Sequence, residues 1–207
     1  MSKPVTYSKN NDPKNNDPRK AGEVNAISSC AFTTRRIAVK AWGFTSVHLE
    51  TVQDVKLEAE LLELLTPAVT MFLPEPLQLS QKTDRIASWI IARNSESTVL
   101  EARDKSTHAL LGVLILAVTD DADCPLEIRL GYLLREKSWG RGIASELLKG
   151  LVAWCRENHL PVHFLGGVER GNPASASVLI KTGFKRSNTL SSEKTDIFEL
   201  SLGAKLL

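Results

Sequence analysis

The stretch that decides the fold is LEIRLGYLLREKSWGRGIASELLKGLVAWCREN, Leu126 to Asn158. Its first nine residues alternate, placing Glu127, Arg129 and Gly131 on one face and Leu126, Ile128 and Leu130 on the other. That is the period of a strand. Its last fourteen residues bring Leu147, Leu148, Leu151, Val152 and Cys155 onto one face, the period of an amphipathic helix. Between them, Gly140 and Gly142 flank Arg141. A backbone without Cβ atoms there turns tightly and lets an anion approach the peptide N–H groups. The first N–H groups of the following helix have no partner inside it and carry the positive end of its dipole. Arg135, Lys137 and Arg141 add charge nearby. The segment therefore reads as a phosphate cradle or as a tight strand-to-helix turn that needs no ligand.

Two phosphate-binding classes are excluded by spacing. No GxxxxGK[ST] stands in the chain, so it is not a phosphate-loop nucleotidase. A dinucleotide fingerprint needs a third glycine where Ser145 stands, and an acidic strand end where the helix instead runs on to Asn158.

Working outward, IAVKA before Trp42 alternates as an edge strand. LETVQDVKLEAELLELL reads as a helix closed by Pro67. PAVTMFLPEPLQL reads as an irregular or short-helical link, and residues 80 to 92 as a second helix capped by Ser80. STVLEARD and THALLGVLILAVT form a hairpin turning at Asp104 to Ser106, the second strand apolar enough to be central. PVHFLGGVE is a strand, PASASVLIKTG a short helix from Pro173 to Gly183, and FKRSN and TDIFELSL two closing strands. The expectation is one three-layer α/β (α+β) domain over residues 29 to 207 with a mixed sheet. Residues 1 to 28 lack apolar periodicity and are expected to form a flexible tail.

Composition excludes other classes. Lys and Arg number 26 against 24 Asp and Glu, a net charge of +2 with no basic run, so no nucleic-acid partner is expected. The longest apolar run, Ala109 to Val118, is half the length of a membrane helix, so no membrane partner is expected either. The start lacks a secretion signal. Cys30, Cys124 and Cys155 form no CxxC pair and fit reduced thiols in a cytoplasmic protein. With four histidines they show no zinc spacing, so no metal site is expected.

The line Trp139-Gly140-Arg141-Gly142-Ile143-Ala144 resembles the central motif of the GNAT superfamily of N-acetyltransferases, departing only at its first position. FTTRRIAV, TPAVTMFLP, LGYLL and NPASASVLIKTGF extend the resemblance over roughly residues 31 to 201. They are most similar to the branch that acetylates ribosomal-protein and other N-terminal amines. The resemblance implies a mostly antiparallel central sheet with helices on both faces, and acetyl-CoA as acyl-donor cosubstrate. Backbone amides over Lys137, Ser138, Trp139, Gly140, Arg141, Gly142, Ile143 and Ala144 would wrap its diphosphate. Leu133 would offer backbone groups to the pantetheine arm, which fills a split between the strands at 127–134 and 162–168. Asn172 would cap the next helix and face that arm.

Catalytic expectations follow. The family's tyrosine seven residues after the Asn is Leu179 here, leaving Ser175 or water to protonate the departing thiolate. A neutral amine must attack, so a base is needed. Glu127 is the candidate, although Arg129 beside it favours substrate anchoring or surface pairing. Glu75, between two prolines, and Arg129 are candidates for acceptor binding. The acceptor is expected to be a protein or peptide N-terminal amine, with a small-molecule amine (polyamine, aminoglycoside or amino-acid derivative) as the alternative. A non-catalytic acyl-CoA-binding module is the rival from another class. The chain is expected to be a monomer or homodimer.

Overall fold

The computed structural model describes residues 18–42, 55–74, 77–78, 86–119 and 125–203. Eight strands form one sheet: β1 Phe32–Thr33, β2 Ile37–Ala41, β3 Thr98–Asp104, β4 Leu110–Thr119, β5 Leu126–Leu134, β6 Val162–Glu169, β7 Lys185–Ser187 and β8 Thr195–Leu202. Their spatial order is β1-β2-β3-β4-β5-β6-β8-β7, antiparallel throughout except between β5 and β6. The helices are α1 Pro18–Ser28, α2 Val55–Leu64, α3 Pro67–Thr70, α4 Ile86–Glu96, α5 Ile143–Glu157 and α6 Pro173–Lys181.

Strand alternation sends side chains into two separate cores, giving the expected three layers. On one face Ile37, Leu100, Leu114, Ile128, Leu130 and Phe164 pack with Ile27 of α1 and with Leu147, Leu148, Leu151 and Cys155 of α5. On the other, Val99, Val113, Ile115 and Leu133 pack with Leu57, Leu61 and Leu64 of α2 and Trp89 and Ile90 of α4. Trp42 and Trp89 meet in a T-shaped arrangement with ring centroids 6.1 Å apart.

One difference from the sequence reading lies at the start. The segment expected as tail to residue 28 ends in α1, where Ile27 is fully buried and Val24 and Ala26 pack on the α5 side. Few apolar residues suffice for this because α1 lies against a sheet already built; periodicity alone was too short to show it. The helix expected over 80 to 92 is observed from Ile86 to Glu96, and Ser80 lies outside the described residues. Among the described residues no helix is long and apolar enough to cross a membrane.

The register at the centre matters most. β5 pairs with β4 without a shift from Glu127 to Leu134, and β6 pairs with β8 along its whole length. β5 and β6 pair only over Leu126–Arg129 against Val162–Leu165. Beyond those four pairs the two strands part. The family resemblance led to expecting this split beside a bulge, yet the one register shift recorded lies between β3 and β4, at Ala102/Arg103.

Candidate functional site

The parting of β5 and β6 opens a cleft of about 600 Å³. Its strand walls are Leu130 to Leu134 on one side and Gly166 to Glu169 on the other; α6 contributes Asn172, Ala174, Ser175, Ser177, Val178, Leu179 and Lys181. Ala68, Val69, Met71, Phe72 and Leu73 close it from α3 and the link after it. The glycine loop closes the end near α5. A smaller hollow lies by Cys155, Arg156 and His159 at the far end of α5, about 20 Å along that helix.

The loop is built by main-chain geometry. After β5, a 3₁₀ turn spans Glu136–Ser138, and Ser138 N–H donates to the Arg135 carbonyl at 2.8 Å. Trp139 is half exposed, and its indole N–H donates to the Leu134 carbonyl at 2.9 Å, pinning the turn to the strand end. Gly140 and Gly142 take φ of +69° and +73°, left-handed values that cost an L-residue roughly 1–2 kcal/mol. Gly142 is the N-cap of α5 and has no side chain to cap it. The N–H groups of residues 140 to 145 make no hydrogen bond with a described group; the first helical donor, Glu146 N–H, reaches the Gly142 carbonyl at 3.0 Å. Six free donors at a helix mouth, beside a cleft, match the acceptors of a diphosphate. The residues thus fit the coenzyme that the loop sequence implies.

A second contact fixes the helix mouth. Glu146, in the first turn of α5, accepts from Thr34 Oγ1 at 2.6 Å, from Arg36 N–H at 2.8 Å and from Arg36 Nε at 2.7 Å. Burial raises its pKa, but the Thr34 hydroxyl and the Arg36 N–H and guanidinium outweigh this, so it lies below the ordinary carboxylate value. Arg36 Nη2 comes within 3.8 Å of where a Cβ on Gly142 would stand. Sequence reading singled out FTTRRIAV only as resemblance; a pairing across 110 residues leaves no local signal.

Most of the expected site residues come together. Leu133, Ser138, Trp139, Gly140, Gly142, Ile143, Ala144, Asn172 and Ser175 all line the cleft. Leu133 sends its side chain into the α2/α4 core, and its carbonyl faces Gly112 of β4 rather than the open edge where the resemblance led to expecting it. Asn172 Oδ1 accepts from Ser175 N–H at 3.1 Å, so Asn172 caps α6. Lys137 and Arg141 are exposed on the loop and do not line the cleft. Arg135 turns away to Glu63 at 3.1 Å and to the Glu60 carbonyl at 3.2 Å.

Others do not join them. Glu127 stands on the paired part of β5, accepts from Thr119 Oγ1 at 3.0 Å and is absent from the cleft wall. Arg129 is exposed on the same face and also absent from it. Glu75 lies outside the described residues. In their place the cleft presents Glu169, which the sequence reading missed because a strand-end carboxylate carries no motif. It also presents Tyr132, whose hydroxyl meets Ser175 Oγ at 2.8 Å. Burial holds the Tyr132 phenol above its ordinary pKa, partly offset by that bond.

Comparison with known proteins agrees with this geometry. A family model described as an acetyltransferase (GNAT) domain matches residues 47–185. RimL, a ribosomal-protein α-N-acetyltransferase solved in complex with coenzyme A, superposes with a TM-score of 0.60 at 16% identity, covering 84% of this chain and 99% of its own. A ribosomal-protein alanine acetyltransferase from Vibrio fischeri gives 0.57 at 14%, covering 86% and 98%. A GNAT-family acetyltransferase from Bacillus anthracis gives 0.58 at 14%, covering 84% and 99%. No curated protein sequence matches. With more than half its length matched by that domain, and the cleft and donor-lined loop in place, the chain belongs to the GNAT acetyltransferase family and takes its acetyl group from acetyl-CoA.

Proposed function

We propose that this acetyltransferase modifies the N-terminal amine of a protein or peptide. One observation carries the choice of acceptor: among the described residues lining the cleft, the charged side chains are Glu169 and Lys181, and the wall from α3 is apolar. A polyamine or aminoglycoside brings several cations and needs several carboxylates to offset their desolvation. A peptide N-terminus brings one ammonium beside an apolar or neutral side chain, which suits Glu169 with Val69, Met71, Phe72 and Leu73. Two of the similar folds belong to enzymes of ribosomal proteins, which supports the same reading.

In this reading the amides of residues 140 to 145 hold the diphosphate, and the edge of β5 left unpaired beyond Arg129 orients the pantetheine arm. Bound there, acetyl-CoA supplies an activated acyl carbon on a thiol leaving group. Glu169 draws the ammonium into the cleft. Glu127 faces the α2/α4 side of β5 from below the opening and takes the amine's proton through water rather than by contact. Ser175 stands where the thiol end of the arm meets α6. Exposed Arg129 extends acceptor recognition outward, and Glu75, outside the described residues, is a candidate for the same role.

Release of free thiol from acetyl-CoA, measured against short peptides with varied first residues and against a polyamine and an aminoglycoside, tests this. Peptide-dependent turnover is the expected result. Turnover with the polyamine alone would overturn the acceptor, and tight coenzyme binding without turnover on any amine would make the chain a binding module.

A further inference from the structure

Tyr132 projects from β5 at the point where β5 has already lost its pairing with β6. It faces the α5/α6 side, and its hydroxyl makes a 2.8 Å bond with Ser175 Oγ in the first turn of α6. The two hydroxyls therefore meet on the cleft wall, which both residues line. Asn172, by accepting from Ser175 N–H, fixes the turn that presents them. Leu179, farther along α6, is 2% exposed and packs within 3.1 Å of a Cβ position on Gly166, so that stretch of α6 serves the core.

Proton affinities separate the roles of the pair. An alkyl thiol such as the one released here has a pKa of about 8.5, and a phenol about 10. A serine hydroxyl is a far weaker acid than either, close to water. Proton transfer is efficient when donor and acceptor are near in affinity, which selects the phenol over the serine. We propose that Tyr132 is the general acid of the reaction, giving its hydroxyl proton to the departing thiolate while Ser175 holds the phenol in place.

The inference rests on the acetyl-transfer reading above. The amine nitrogen bonds to the acyl carbon, the carbon–sulfur bond breaks, and its electron pair takes the Tyr132 proton to give the free thiol. The proton lost by the amine passes through water to Glu127 and from there to solvent, and the phenolate is restored from solvent, so no further reactant is needed. The charged side chains lining the same cleft are Glu169 and Lys181.

Two measurements on Tyr132→Phe test it. The first needs no acceptor: the thiol of bound coenzyme A is titrated through its thiolate absorbance. A phenol donating to sulfur stabilises the thiolate, so the bound thiol ionises at lower pH in the wild type than in Tyr132→Phe. Equal titration in the two proteins overturns the proposal. The second is turnover with an acceptor that the wild type uses: kcat falls about 100-fold with KM for acetyl-CoA unchanged. Ser175→Ala shows part of that loss, and the double variant loses no more than Tyr132→Phe alone, because the pair acts as a unit. Wild-type kcat in Tyr132→Phe overturns the proposal while leaving the acetyltransferase reading intact. Failure of the wild type on every amine sinks that reading instead, and the thiol titration still decides the role of Tyr132.

Discussion

Arg36 and Glu146 meet at 2.7 Å, tying the link between β1 and β2 to the first turn of the helix whose mouth carries the free amides of the glycine loop. The carboxylate also accepts from Thr34 and from a main-chain N–H, so one side chain fixes three groups from the start of the fold. Its place in the first helical turn is favourable for a negative charge.

Glu146→Gln should therefore cost about 1.5–3 kcal/mol of stability, the range for hydrogen bonds to a charged group. The folded-state pKa lies below its reference of 4.5. Protons thus bind the unfolded chain more readily, and the stability from Glu146 is fully present above pH 4.5 and lost as pH falls below it. Thermal unfolding of wild type and variant from pH 7 to 3 checks this: the gap between them should close in acid. A gap constant with pH would mean that Glu146 does not act as a charge.

Gly142→Val should abolish acetyl-CoA binding and leave the fold. The residue sits at φ +73°, a region that a β-branched side chain avoids, and the strain falls on the donors themselves. Isothermal titration with coenzyme A, alongside circular dichroism, reads both effects. Wild-type affinity in a folded Gly142→Val would show that the turn, and not a ligand, required the glycine.

Gly112 bears on the same cleft from behind. A Cβ on it would collide with the Leu133 carbonyl oxygen and press on Leu134. Gly112→Ala should push β4 from β5 and cost roughly 1–3 kcal/mol, as overpacked cores do. Because the displaced strand walls the cleft, coenzyme affinity should fall together with the melting temperature. An unchanged melting temperature would show that β5 shifts freely.

In the proposed function the two carboxylates divide the acceptor chemistry between them. Glu169→Gln should raise KM for a peptide acceptor about tenfold, with KM for acetyl-CoA unaltered, as expected for one charge-assisted contact. Glu127→Gln should lower kcat about 100-fold, the low end for general-base catalysis, with both KM values kept. Steady-state kinetics with both substrates varied separates the effects. Wild-type kcat in Glu127→Gln would take that residue out of the reaction and leave water as the base.

The sequence shows the central elements to within a few residues because β5, the glycine loop and α5 each carry a strong local signature. Alternation from Leu126 to Leu134, two glycines and a five-residue apolar stripe are contained in 33 consecutive positions. The donor-lined loop was readable for the same reason, since it is made of main chain. The side-chain contacts in the cleft were not. Tyr132 reads as one more apolar-face residue of a strand, and only the parting of β5 from β6 exposes its hydroxyl to Ser175, 43 residues away. Glu127 sits at the head of the same strand, but that end stays paired, which no alternation pattern reveals. α1 escaped notice because a helix of 11 residues needs little apolar surface when it docks through Ile27, with Val24 and Ala26 beside it.

Backbone amide resonances of residues 140 to 145, followed by NMR as coenzyme A is added, test the central claim most directly. If these N–H groups clasp the diphosphate, they should shift in proportion to saturation and become protected from hydrogen exchange, and dephosphorylated pantetheine should leave them unmoved. Saturation with coenzyme A while those six amides keep their free-protein shifts and exchange rates would contradict the account.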